Sequence, residues 1–454
     1  MTKLVAHGLG GVRDLPVPLW LFLYGAGIVL IVSFVALGVL WKRPLLEARS
    51  EGRPLPAVLQ RVLLGRELRL LLGAVSVGLL VLVFAAALLG EDSSATNLAP
   101  TFVYVIFWLG LVPVAVLLGN VWRALNPWRA AADAVAWLAR RAGIDWEPLA
   151  EYPERLGRWP ATLGLFAFAT LELAYPNSAD PRALALAIGI YSVVAWLGAA
   201  IFGRDVWFEN GEAFTVYFSL FARIAPFALR KGKIVARLPL SGLAGRDERP
   251  GTVPFIAVML GSVAFDGFSR TPWWVDRQLS IETSFGLESP ALADLSVTAF
   301  NLAGLIAAVA LVALVYFLAV EGARAAGGRG RSLADDFIGS LVPIALAYAV
   351  AHYFTLFVLQ GQQARRLFSD PFGYGWDLLG TRDFQPRLDL LTPNTVWYVQ
   401  VVALVVGHVL GLALAHDRAI ALFRSPGTAL RTQYAMLVLM IAYTVGGLWL
   451  LSNG

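Results

Sequence analysis

Five polar side chains stand inside apolar stretches of this 454-residue chain. They lie on five separate segments: Glu172, Asp266, Asn301, His352 and Gln400. An ionisable group at the centre of a membrane helix costs about 2.5–3.5 kcal/mol on insertion scales, so each needs a partner or a function. At a rise of about 1.5 Å per residue, all five fall in the same outer third of a bilayer. We expect them to converge in an outward-facing polar pocket if their helices are neighbours.

The residue types in this pocket suit metal-assisted or acid–base chemistry. Imidazole and carboxylate together are a reasonable ligand set for one divalent metal such as zinc or manganese. A metal lowers the pKa of a bound water and so makes a nucleophile of it. His352, Glu172 and Asp266 are therefore the candidate catalytic and metal-ligating residues. Asn301 and Gln400 are candidate substrate-binding residues.

A purely structural interpretation of the same pocket stays open. Glu172 and Asp266 would then lie at the headgroup level, while the histidine and the two amides join helices by hydrogen bonds. Trp273 and Trp274, which follow the sixth apolar segment, are further candidate substrate-binding residues in a loop that caps an apolar ligand. Tryptophans at a membrane interface also anchor helices without any ligand.

Two histidines lie deeper in the chain's last third. For His408 we expect a hydrogen bond between helices, which is the commonest role of a lone polar group in a span. His416 is expected to be a cation beside the negative end of a helix dipole.

The composition identifies a membrane protein. Hydrophobic residues make up 58% and charged residues 15% of the chain, against roughly 45–50% and 25% in soluble domains. The absence of cysteine excludes disulfides, thiolate metal sites and thiol nucleophiles. The net charge of +5 is explained by basic cytoplasmic loops. We therefore expect a lipid bilayer, and no nucleic acid, as the partner.

The apolar runs predict an all-α polytopic bundle of ten spans in one integral membrane domain over residues 1–454. The spans lie near 17–41, 68–90, 99–121, 159–175, 183–203, 253–268, 294–320, 336–359, 395–416 and 430–451. With both termini extracytoplasmic, most Lys and Arg residues fall on the cytoplasmic side. This pattern favours a multi-pass protein of the bacterial plasma (inner) membrane.

Two further segments are predicted as amphipathic helices on the cytoplasmic side. Residues 127–142 alternate apolar and charged faces at helical spacing. Residues 209–229 are apolar but carry Arg223 and Pro226, which favours an interfacial or re-entrant helix over an eleventh span. No internal repeat is strong enough to indicate a two-fold transporter architecture.

Short motifs along nearly the whole chain resemble one family. They are AHGLGG, SFVALGVLWKRP, NPWRA, FDGFSRTPWW, AHYFTLFVLQGQ, TVWYVQ and GHVLGLALAHDRA. The resemblance is to multispanning membrane proteins of actinobacteria, some of which are named fenitrothion hydrolase. It implies a membrane-bound hydrolase that cleaves an organophosphorus triester, with an apolar small molecule as substrate. It assigns no catalytic residue.

Two other function classes remain beside the hydrolase. As a transporter or proton-coupled permease, the protein would use the same pocket as a substrate or proton site, since histidine titrates near physiological pH. As a scaffold subunit, it would bind another membrane protein. Against the enzyme stands the lack of HExxH and GxSxG motifs, and against the transporter stands the lack of a repeat.

Overall fold

Helices are the dominant elements of the chain that the structure describes. The computed structural model describes residues 18–144, 147–286, 289–327, 333–423 and 425–453. The first half of these contains α1 (Leu19–Leu40), α2 (Leu45–Ala48), α3 (Ala57–Leu63), α4 (Arg66–Leu89), α5 (Leu98–Thr101), α6 (Leu111–Leu118), α7 (Trp122–Leu125), α8 (Pro127–Arg141), α9 (Trp159–Leu173), α10 (Pro181–Phe202), α11 (Arg204–Asn210) and α12 (Ala213–Ala222). The second half contains α13 (Thr252–Phe268), α14 (Pro272–Gly286), α15 (Pro290–Ala325), α16 (Ala334–Phe337), α17 (Val342–Gln360), α18 (Ala364–Leu367), α19 (Pro393–Leu422), α20 (Pro426–Thr432) and α21 (Tyr434–Asn453).

Short elements complete the chain. A π-helix, Phe102–Leu109, joins α5 to α6. The 3-10 turns are Glu154–Leu156, Ser241–Leu243, Ile338–Leu341, Gly361–Gln363 and Leu388–Leu390. The strands β1 (Arg53–Pro54), β2 (Phe227–Arg230) and β3 (Lys233–Ala236) form one small antiparallel sheet in the order β1-β3-β2.

The structure confirms an all-α polytopic helix bundle. Eight helical segments of the described chain are long and apolar enough to cross a membrane, and each coincides with a predicted span. The other two predicted spans, 159–175 and 253–268, form helices of only 15 and 17 residues. The second of these, α13, continues into α14 after a 79° bend, and the bent pair counts as a ninth candidate. By length alone, α9 covers about 22 Å of a core about 30 Å thick.

The segment 209–229, predicted as one helix, contains parts of three elements. They are the end of α11, the ten-residue helix α12 and the start of strand β2. Nine of the ten residues of α12 are buried, so this helix lies inside the bundle and not along its surface. Glu212 caps α12 by accepting hydrogen bonds from the backbone N–H groups of Phe214 and Thr215. The helix expected over 127–142 is confirmed as α8.

The bundle places the helices that carry the candidate residues next to each other. The central helix α13 packs against α9, α15 and α17, and α17 packs against α19. The α17–α19 contact is close, because α19 has a glycine there: a Cβ on Gly407 would lie 2.2 Å from Ala347 Cβ and 2.8 Å from the Pro343 carbonyl oxygen. Small residues at such contacts let two helix backbones approach.

This contact generates the first prediction. Replacing Gly407 with Ala should destabilise the protein by about 1–3 kcal/mol, because the new methyl group overpacks the α17–α19 contact. Gly78→Ala on α4 is the matched control, since a Cβ there meets nothing within 4 Å. Thermal unfolding in detergent measures both. Equal stability of the two variants would contradict the close contact.

A buried ion-pair network fixes the loop that leads into α13. The Asp247 carboxylate lies 2.9 Å from the guanidinium of Arg158 and 2.8 Å from that of Arg223. Asp247 and Arg158 are both buried. Burial alone raises the pKa of Asp247, but the two guanidinium groups outweigh it and hold this pKa below its ordinary value.

The second prediction concerns this network. Asp247→Asn should cost about 3–5 kcal/mol at neutral pH, because it leaves Arg158 as a buried charge without its partner. A lowered pKa in the folded state means that the stabilisation is present above the ordinary pKa of an aspartate and is lost as the pH falls through the folded value. Unfolding measured from neutral to acidic pH should therefore show the variant and the wild type converge at low pH. A constant difference would contradict the ionic origin.

Candidate functional site

Asp266 is the centre of a hydrogen-bonded cluster at the end of α13. Its carboxylate is 1% exposed. Oδ1 accepts hydrogen bonds from Arg270 Nε at 3.1 Å and Nη2 at 2.8 Å. Oδ2 accepts from the Tyr353 hydroxyl at 3.0 Å and lies 2.8 Å from His352 Nε2. We call Glu172, Asp266, Arg270, His352 and Tyr353 the Asp266 cluster.

The hydrogen-bond donors around Asp266 determine which nitrogen of His352 carries a proton. A carboxylate offers about four lone-pair positions, and Asp266 has four neighbouring donor groups. Because Arg270 is paired with it, we assign Asp266 as ionised, and His352 Nε2 then donates to it. In the neutral imidazole the other nitrogen, Nδ1, then holds the lone pair. The arrangement is a carboxylate–imidazole dyad whose base is His352 Nδ1.

The bend between α13 and α14 positions the arginine. Arg270 follows Asp266 by four residues and lies in the break between the two helices. The guanidinium can therefore fold back onto the last turn of α13. His352 and Tyr353 come from the middle of α17, which packs along α13.

Glu172 lies beside this dyad, in the last turn of α9. It interacts electrostatically with Asp266 and Arg270, and the hydroxyls of Tyr104 and Tyr217 lie within the same electrostatic range. Among the described residues, Glu172 makes no hydrogen bond or ion pair. The structure therefore places a second carboxylate next to Asp266 and leaves it without a cation bound directly to it.

A π-helix carries Tyr104, one of the two tyrosines near Glu172. The segment Phe102–Leu109 carries both Tyr104 and Trp108, and Trp108 stacks on Tyr217 with ring centroids 4.3 Å apart. The Trp108 indole N–H is buried and has no partner in the described part of the chain. π-helical turns are rare and occur frequently at functional sites.

His352 also borders a small cavity between α13, α17 and α21. The cavity has a volume of about 20 Å³, which is room for about one water molecule. Its lining is apolar apart from two residues and consists of Val263, Gly267, Tyr348, Ala351, His352, Gly447, Leu450 and Leu451. The dyad thus borders a space suited to a single water molecule.

The candidate substrate-binding residues lie in different environments in the structure. Trp274 is buried and donates its indole N–H to Asn301 Oδ1 at 2.9 Å, and its ring stacks on Phe300 at 4.2 Å. Trp273 is 56% exposed, which suits an interfacial anchor. Gln400 is buried on α19, whereas the hydrogen bonds that reach Asp266 come from α17 and from the bend after α13.

The two deeper histidines differ from expectation. His408 Nδ1 donates to the Leu404 carbonyl of its own helix at 2.7 Å, so that bond does not join two helices. His408 Nε2 is buried with no hydrogen-bond partner in the described ranges. His416 lies six residues before the end of α19 and not in its last turn, and it is buried and bonded to two other segments.

The expected metal ligands do not form a closed ligand set. Within the described ranges, no group of three or more His, Asp or Glu side chains lies close enough together to hold a metal ion. The lone pairs of Asp266 are occupied by the donors named above, so a cation there would have to displace one of them. A zinc or manganese site at His352, Glu172 and Asp266 stays a prediction.

Comparison with known proteins adds no relative. The chain matches no protein-family model, and no similar chain was found among curated proteins or solved structures. The fold and the Asp266 cluster together define an all-α, membrane-type helix bundle with a buried carboxylate–imidazole dyad. The function is argued below from the chemistry of this dyad.

Two residues of the Asp266 cluster were not predicted from the sequence. Arg270 carries a usable signal, because a cation four residues after Asp266 is in reach of it on a helix. Tyr353 carries none, because adjacent residues on a helix point about 100° apart, and only the packing of α17 on α13 brings both His352 and Tyr353 to one carboxylate.

The neighbouring tryptophans generate the third prediction. Trp274→Phe should destabilise the protein by about 1–3 kcal/mol, because it leaves the buried amide oxygen of Asn301 without its donor. Trp273→Phe is the matched control one residue away and should change unfolding little. Thermal unfolding of both variants tests this. If Trp273→Phe were the more damaging change, the assigned roles would be reversed.

Proposed function

We propose that the Asp266 cluster is the general-base site of a membrane-embedded hydrolase acting on a small apolar ester. The observation that carries this proposal is the 2.8 Å bond between His352 Nε2 and Asp266 Oδ2, in a histidine that also lines a cavity. The resemblance to proteins named fenitrothion hydrolase supports organophosphorus triesters as the first substrate class to test.

The dyad supplies three properties that a general base requires. Asp266 fixes the orientation and the tautomer of the imidazole, as a carboxylate does in hydrolytic triads. Arg270 and Tyr353 keep Asp266 ionised, so it also stabilises the imidazolium that forms. His352 Nδ1 then takes a proton from a water molecule in the cavity.

The reaction balances with water as the only co-reactant. As His352 Nδ1 accepts its proton, the water oxygen forms a bond to phosphorus and the bond from phosphorus to the aryloxy oxygen breaks. The phenolate leaves, and the proton on His352 returns to it or to solvent. The products are a phosphodiester and a phenol.

A second candidate function is proton-coupled transport, and Glu172 favours it. An ionised carboxylate without a directly bound cation is expensive inside a membrane helix, so it binds a proton or a cation there. The helices around Glu172 are also interrupted: α13 is bent, α12 is short, and the third span contains a π-helix. Broken helices border the binding sites of many transporters.

The fourth prediction tests the general base. Purified protein in detergent is assayed for release of nitrophenol from a dialkyl nitrophenyl phosphate triester. His352→Asn should lower kcat by about 100- to 10,000-fold, the usual contribution of a general base. Val350→Ala, a control on the exposed face of the same helix, should keep full activity.

Two outcomes would contradict the hydrolase. One is full activity in His352→Asn, and the other is a wild-type protein without turnover on such triesters. In the second case, proteoliposomes decide the alternative: a substrate-driven change in internal pH that is lost in Glu172→Gln supports transport. A variant that unfolds is recognised by its melting curve and is replaced by His352→Gln.

A further inference from the structure

The opposite end of α17 and α19 carries a second buried polar cluster. It is built on three consecutive residues of α19, His416, Asp417 and Arg418, all of them buried. Their partners come from the chain just after α1, from α2, from α16 and from the junction of α20 with α21. We call this set the His416 cluster.

Both ring nitrogens of His416 face oxygen atoms. Nδ1 lies 2.8 Å from Gln433 Oε1, and Nε2 lies 3.1 Å from the backbone carbonyl oxygen of Trp41. A carbonyl oxygen can only accept a hydrogen bond. The Trp41 contact therefore needs a proton on Nε2.

The orientation of the Gln433 amide decides the other contact. Its Nε2 donates to the Ala429 carbonyl at 2.7 Å. Turning the amide over would place its oxygen against that carbonyl and lose the bond. Gln433 therefore presents its oxygen to His416, so Nδ1 must carry a proton as well. Only the imidazolium has a proton on both nitrogens.

Charged groups next to His416 join the same segments. Asp417 accepts from the Trp41 indole at 2.9 Å and from the backbone N–H groups of Leu46 and Glu47, each at 3.1 Å. Arg418 pairs with Glu47 at 3.0 Å and with Asp336 at 2.6 Å. Of the other charged groups on the packed segments, Lys42, Arg43, Arg49 and Arg431 are exposed, and Asp335 pairs with Arg246.

We infer that His416 is held as an imidazolium that latches the end of α1 to α19 and to the α20–α21 junction, and that loss of its proton opens this latch. A neutral ring can donate to only one of the two oxygens. The carbonyl of Trp41 or the amide of Gln433 then faces a nitrogen lone pair, and that contact is lost. This inference does not depend on the proposed function.

The latch adds to the helix packing of α1. This helix packs on α19 and α21, and Ala26, Leu30 and Phe34 of its 22 residues are buried. The bonds of Asp417 to the segment after α1 do not need the histidine proton, so this segment stays attached when the latch opens. The expected change is a freer end of α1 and not its dissociation.

The first measurement is the protonation state of His416 itself. The chain has four histidines, so nitrogen-15 labelling of histidine gives a simple NMR spectrum in detergent, and His416→Gln identifies the signal. We expect both nitrogens to show the imidazolium shift at about pH 7.5, where a free histidine is neutral. Gln433→Glu should hold the proton to a higher pH than the wild type, and Gln433→Leu should release it at a lower pH. A neutral ring in the wild type at about pH 7.5 overturns the inference.

The second measurement follows the latch. Because the chain contains no cysteine, spin labels at Arg43→Cys and Arg431→Cys, both exposed, report one distance by electron–electron double resonance. The distance distribution should be narrow while His416 is protonated and broader above the pH at which NMR shows the proton lost. In the Gln433→Leu variant, the distance distribution should broaden at a lower pH, in parallel with the NMR transition of that variant. If the distance distribution does not change at the pH of the NMR transition, the latch is overturned, even if the imidazolium is present.

Discussion

The negative charge of Asp266 is the constraint on which the candidate site depends. A carboxylate that is 1% exposed in a bundle of apolar helices must be paired and hydrogen-bonded at every lone pair, since the cost of an unpaired buried charge is several kcal/mol. The chain bends after α13, and this bend lets the Arg270 side chain fold back onto the Asp266 carboxylate. The registry of α17 against α13 is the one that brings His352 and Tyr353 to the same carboxylate.

The two polar clusters satisfy the same constraint in opposite ways. In the Asp266 cluster one carboxylate collects the donors, His352 lines a cavity, and Glu172 has no hydrogen-bond or ion-pair partner among the described residues. In the His416 cluster, carboxylates, a guanidinium and an imidazole join segments up to 376 positions apart in the chain. The first arrangement keeps reactive groups available, as a functional site requires. The second uses its groups to hold chain segments together.

Much of the fold follows from hydropathy alone, because a helix is the way in which a single apolar segment satisfies its backbone in lipid. The lengths of α9 and α13 do not follow from it. The run at 159–175 ends at Leu173, since Pro176 restricts the residue before it, and α13 stops at a bend that serves Arg270. The five polar positions were expected to meet, and four of them lie on α13 or its direct neighbours. Gln400 lies on α19, one helix further, and depth along a helix does not predict which way a helix faces.

The close packing of α17 on α19 also links the two ends of the molecule. α19 runs continuously between the levels of the two clusters, while the 3-10 turn Ile338–Leu341 separates α17 from Asp336. A Cβ on Gly407 would meet the Pro343 carbonyl oxygen of α17 at 2.8 Å, and one on Gly411 would meet the Ser340 carbonyl oxygen of the turn at 2.7 Å. Such an interface has little freedom to slide, because packed backbones resist small shifts. A change in protonation at one end therefore reaches the other end only by a joint movement of α17 and α19, or not at all. Since the main contacts of α1 are with α19 and α21, we expect opening of the His416 latch to free the end of α1 while leaving the dyad in place.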